Sequence, residues 1–115
     1  MGEDGVRHIL MSEKLPKILS SLEKIVSFLE KDGSIECILL LYLNKGRWKE
    51  AKEFLESVNS PIKDGIFRSR MFELEHLKIS RDISIDLKKH YQISEFGKII
   101  ANLIIEYFEK FEPYF

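Results

Sequence analysis

The sequence predicts a mainly α-helical fold with one small β-hairpin. The prediction rests on a hydrophobic period that changes twice between Gly65 and Leu103. Phe67, Met71 and Leu74 recur at i, i+4 and i+7, the spacing of one helix face. Ile79, Arg81, Ile83, Ile85 and Leu87 then alternate with polar residues, as in a half-buried strand, and Tyr91–Gln92–Ile93 forms a second short strand. Ser94 opens another helical run, with Phe96, Ile99, Ile100 and Leu103 on one face. Helix, hairpin, helix is the second half of a winged helix-turn-helix. The expected architecture is therefore that fold with extra N- and C-terminal helices.

The elements follow in order. Residues 1–11 read as a flexible tail. An amphipathic helix is expected over 12–33, with Ser12 as N-cap and Leu15, Ile18, Leu22, Ile25 and Leu29 in one stripe. Leu19 and Val26 widen that stripe, and Pro16 has to lie in the first turn. Asp32–Gly33–Ser34 separates this helix from the next. The core domain spans 34–93 and begins with Ser34–Leu43, apolar on nearly every side and so expected to be buried. Asn44–Lys45–Gly46 stops it. Trp48, Ala51 and Leu55 put one face of a third helix on the core. Val58–Asn59–Ser60–Pro61 is the turn, and the recognition helix starts somewhere between Ser60 and Asp64. The last segment, 94–115, is a helix ended by Pro113.

The outer face of the recognition helix follows from about 100° per residue. With Phe67, Met71 and Leu74 inward, Gly65, Ser69 and Phe72 point outward. Arg68 and Arg70 lie on the flanks, and Ile62 and Ile66 towards the outer side. Phe72 stands out as a large apolar group on a face meant for solvent or a partner.

Met71, Glu73–Leu74–Glu75, Arg81 and Tyr91–Gln92–Ile93–Ser94–Glu95–Phe96–Gly97 resemble motifs of the winged-helix transcription regulators of the MarR/HxlR kind. Those carry an L-x-E-L-E-like end to the recognition helix, a strand with an arginine, and Y-x-L-T-E-x-G at the start of the last helix. The resemblance covers roughly 34–108. It implies DNA binding, and it makes Arg81 either a fold anchor or a phosphate contact near the wing base. Two departures stand out. His76–Leu77–Lys78 replaces the glycine by which the family leaves the recognition helix, and the hairpin tip near Asp86–Lys88 has no Gly or Asn.

Composition fits one domain with a modest core: 115 residues, 44% hydrophobic. Lys plus Arg is 18 against 19 for Asp plus Glu, a net charge of −1, so attraction to phosphate has to be local. The longest uncharged apolar run, Cys37–Leu43, is too short to cross a membrane, and the first residues lack a signal-peptide core. A cytoplasmic protein is expected. The single Cys37 excludes an intrachain disulfide and reads as core. His8, His76 and His90 are not spaced as ligands, and the chain has no nucleophile elbow, phosphate loop or dinucleotide fingerprint. No metal, cofactor or enzyme activity is expected.

Lys63, Arg68, Ser69 and Arg70 are the expected groove-facing set, with Arg81, Lys88, Lys89 and His90 on the flanking DNA backbone. The partners expected are double-stranded DNA and a second copy of the chain; the sequence names no effector. The dimer interface would use Leu15, Ile18, Leu22, Ile25 and Leu29 with Ile100, Leu103, Tyr107, Phe108 and Phe111. The alternative is a winged helix that docks on protein without touching DNA, favoured by the outward Ile62 and Phe72.

Overall fold

Among the residues described by the computed structural model, Glu3–Phe115 with the side chains of Glu3 and Leu10 excepted, five α-helices accompany one antiparallel two-stranded sheet. The helices are α1 (Glu3–Leu29), α2 (Ser34–Tyr42), α3 (Trp48–Ser57), α4 (Asp64–His76) and α5 (Glu95–Phe111), and the strands are β1 (Ser80–Asp82) and β2 (Tyr91–Ile93). A 3₁₀ turn, Glu112–Tyr114, follows α5. The fold is thus mainly helical with a small hairpin. The chain divides into two units, 1–31 and 32–115. No helix of the described residues is long and apolar enough to cross a membrane.

The first unit is the single helix α1, and it corrects the expected tail at 1–11. The helix already runs from Glu3; Met1 and Gly2 lie outside the described residues. Ser12 is not its cap. Its hydroxyl donates to the His8 carbonyl at 2.7 Å, a bond back along the helix that leaves the helix uninterrupted. Pro16 consequently sits inside the helix rather than in its first turn.

In the second unit α2 is the central helix, burying Ser34, Cys37, Ile38, Leu40 and Leu41. It is not covered on every side, because Ile35 and Tyr42 remain exposed. Burial pushes the Cys37 thiol up to about 12, so this cysteine is a core residue with no thiolate at neutral pH. Ala51 and Leu55 of α3 and Phe67, Met71 and Leu74 of α4 close the same core, as their spacing predicts.

Three helices leave the core through a left-handed residue. Asn44, Asn59 and Lys78 have φ of 59°, 57° and 65°. Each is followed by a residue whose N–H reaches back to close the helix end: Lys45 to Leu40, Ser60 to Leu55 and Ile79 to Leu74. Lys78 therefore does the work of the glycine that the sequence lacks there. An L side chain costs about 1–2 kcal/mol in this conformation. Lys78→Gly, allowing for the freer unfolded chain, is expected to stabilise the protein by about 1 kcal/mol. The check is thermal melting, with a rise of about 4 °C.

The strands pair Ser80 with Ile93, Arg81 with Gln92 and Asp82 with Tyr91. The predicted strand over 79–87 is shorter than its alternation suggested. Ile79 is buried, but Ile85 and Leu87 are exposed, Leu87 entirely. The hairpin tip has no facing layer, so its alternation buries nothing. Arg81, expected on the apolar side, is exposed. Ile79 closes the end of α4, and Ser80 rather than Arg81 takes the next inward position. A further bridge joins Ile85 to Lys88 around a two-residue turn, Asp86 and Leu87, both at positive φ.

Ser94 and Gly97 bind α5 to this hairpin. The Ser94 hydroxyl accepts from the Gly97 N–H at 2.9 Å and donates to the Lys78 carbonyl at 2.6 Å. It is both the N-cap of α5 and a tie to the end of α4. A Cβ on Gly97 would stand 2.3 Å from the Ile79 carbonyl oxygen, so only glycine permits this approach.

Candidate nucleic-acid interface

The outer face of α4 and the hairpin border a groove of about 700 Å³. Three stretches line it. Arg47, Trp48 and Lys49 come from the start of α3. Phe67, Arg68, Phe72 and Glu75 come from α4. Lys88, Lys89 and Tyr91 come from the hairpin. Five cations and four aromatic rings thus line one groove, with Glu75 the single carboxylate in the lining. A chain of net charge −1 concentrates positive charge here.

Backbone geometry brings the stretches together. The Gly46 carbonyl accepts the Tyr91 N–H at 3.2 Å, holding the segment before α3 against β2. A Cβ on Gly46 would lie 1.9 Å from the Tyr91 carbonyl oxygen. This contact places Arg47 and Lys49 beside the hairpin lysines. Trp48 is fixed by its ring against Phe67, centroids 5.1 Å apart.

The charged groups are held by neighbours yet reach solvent. Arg68 Nε donates to the Asp64 carboxylate at 2.9 Å, and its side chain is 74% exposed. Lys89 meets Asp82 at 2.6 Å and is 67% exposed. The Lys89 ammonium keeps the Asp82 carboxyl below the usual carboxylate range, and Asp82 in turn raises Lys89 above the ordinary lysine value. Lys89 is therefore charged across the neutral range. Phe72, 59% exposed, rests on the His76 ring at 4.4 Å.

Of the residues singled out by the sequence, Arg68, Lys88 and Lys89 come together in the groove. Lys63 and Ser69 are exposed at α4 but do not line it, and neither does Arg81. His90 is half-buried beside a separate cavity of about 110 Å³ that it shares with Arg47, Ile85, Asp86 and Lys88. Arg70 is a correction to the groove-facing set. Its side chain is only 16% exposed, and it pairs with Glu73. Its Nε donates to the Asp32 carbonyl at 2.7 Å, so it ties α4 to the turn before α2. A flank position on a helix cannot reveal which neighbour lies beside it.

Arg47 and Lys49 were missed by sequence reasoning, which assigned Trp48 to the core alone. The available signal was local: two cations flanking an aromatic residue directly after a glycine stop. Among the described residues no cluster of three or more His, Cys, Asp or Glu side chains could hold a metal ion.

The expected dimer surfaces are apolar. On α5 the small residues Gly97 and Ala101 are buried, while Leu103, Tyr107, Phe108 and Phe111 are exposed and Ile100 is half-buried. On α1, Leu15 and Leu22 are exposed and Ile18, Ile25 and Leu29 half-buried. Comparison with known protein families, characterised proteins and solved structures finds no match to this chain.

Proposed function

We propose that the chain binds double-stranded DNA sequence-specifically as a homodimer, using a winged helix with α4 as recognition helix, and acts as a transcriptional regulator. The observation that carries this reading is the meeting of five cations from α3, α4 and the hairpin around one groove. Phosphates along a duplex are the matching partner, and Lys63, Arg68 and Ser69 on the exposed side of α4 are the groups that would meet base edges, Arg68 by leaving Asp64. The motif that resembles MarR/HxlR regulators has structural tasks in keeping with that reading: Ser94 caps α5 and ties it to the end of α4, and Gly97 allows close approach.

Selection of bound sequences from a random duplex pool at two salt concentrations tests it. With about three phosphate contacts per protomer a dimer makes about six, so the log–log salt slope is expected near −5. A slope near zero, or no enriched sequence, argues against the reading.

The second copy is proposed to cover α5. A helix that buries its glycine and alanine and exposes its aromatics is built for a partner of like chemistry. On a roughly palindromic site the two recognition helices of such a dimer would have to lie about 34 Å apart. Sedimentation at high micromolar concentration is expected to give a dimer, and a monodisperse monomer removes this part. The exposed Phe72 favours the second reading, docking on a protein through an aromatic anchor. In that case the duplex selection enriches nothing.

A further inference from the structure

Duplex phosphates explain the cations of the groove but not its aromatic side chains. A phosphate needs cations and N–H donors and gains nothing from Phe72, whose ring is 59% exposed among them. Nor does a duplex, with its bases stacked inside, present a flat ring to these aromatic side chains. The groove is also concave, and about 700 Å³ falls in the range of sites that enclose a ligand.

We infer that the groove takes a nucleotide with an unpaired base, supplied by a single strand or as a free nucleotide. The base stacks on the Phe72–Trp48 side and its phosphate meets Lys88, Lys89 or Arg47. Aromatic rings inside a cationic channel are how sequence-tolerant binding of unpaired bases is built, because every base has a π-face. The rings are held in place before any ligand arrives: Phe72 lies against His76, and Trp48 against Phe67. Lys89 is likewise fixed by Asp82, so little ordering remains to oppose binding. The inference rests on the nucleic-acid reading of this groove, although not on the duplex.

Trp48 is the only tryptophan of the chain and lines the groove, so its fluorescence reports occupancy directly. The full chain is titrated with a single-stranded oligodeoxycytidylate of about ten residues, the same strand annealed to its complement, and deoxycytidine monophosphate. The single strand is expected to quench Trp48 in a saturable way. Phe72→Ala is expected to weaken that binding by about 5- to 150-fold, the loss of one stacked base. Because Phe72 is exposed, melting should not change; should the variant misfold, Lys88→Ala with Lys89→Ala gives a second route to the same loss. Saturation by the monophosphate assigns the site to free nucleotides, and saturation by the strand alone assigns it to single strands. No saturable quenching by either, or full affinity in folded Phe72→Ala, overturns the inference. Duplex binding with no single-strand binding overturns it while leaving the proposed function standing. Single-strand binding together with a duplex-pool selection that enriches nothing does the reverse.

Discussion

Gly46→Ala is expected to cost about 3 kcal/mol or more, lowering the melting temperature by about 12 °C. The new methyl would lie 1.9 Å from the Tyr91 carbonyl oxygen and 2.7 Å from its carbon. Both are backbone atoms, so no side-chain rotation relieves the clash. Either β2 moves away or the segment before α3 does, and each movement breaks the bond from the Tyr91 N–H to the Gly46 carbonyl. The same movement separates Arg47 and Lys49 from Lys88 and Lys89. A fraction that still folds should therefore bind nucleic acid more weakly than stability alone explains. Gly97→Ala, with a Cβ 2.3 Å from the Ile79 carbonyl oxygen, provides a comparison in which stability falls and the groove lining is not touched directly. Melting of both variants checks the first claim. Unchanged melting in Gly46→Ala would mean that the hairpin and the start of α3 are not in contact.

Arg68→Ala is expected to leave the fold intact and weaken duplex binding by about 1–3 kcal/mol, if the guanidinium reads a base edge bidentately. Its pair with Asp64 is exposed, and such pairs contribute little to stability. Arg68→Lys should not restore full affinity, since an ammonium cannot make the planar double contact. Asp64→Asn is expected to act in the opposite direction, removing the carboxylate that competes with DNA for Arg68. Phe72→Ala should matter less for a duplex. Under the docking reading the order reverses, because a buried aromatic anchor carries more binding energy than an exposed charge. The measurement is operator affinity at one fixed salt concentration, with melting compared first. Full affinity in a folded Arg68→Ala would show that α4 does not present this side to DNA.

Local signals in the sequence settled much of the fold. The inward face of α4 follows from Phe67, Met71 and Leu74, whose spacing matches the helix period. Ser94 marks the start of α5 because a side-chain oxygen must meet an unpaired N–H there. Asn44 and Asn59 mark helix ends for another local reason, the tolerance of asparagine for the left-handed conformation. These features involve residues within a turn of one another, so periodicity and capping chemistry contain them. Other features depend on partners far along the chain, which periodicity does not encode. Nothing near Arg70 indicates that its guanidinium reaches the Asp32 carbonyl. Nothing near Gly46 indicates that Tyr91 will occupy the space of its absent side chain. Leu87 alternates correctly with its neighbours yet buries nothing, because no layer faces the hairpin tip. The sequence by itself determined the inward face of α4, the presence of the hairpin and the start of α5 at Ser94. Only the tertiary structure decided which cations share one groove, because that requires the start of α3, the exposed side of α4 and the hairpin to converge; the Gly46–Tyr91 contact joins the first to the hairpin and the Trp48–Phe67 contact joins it to α4.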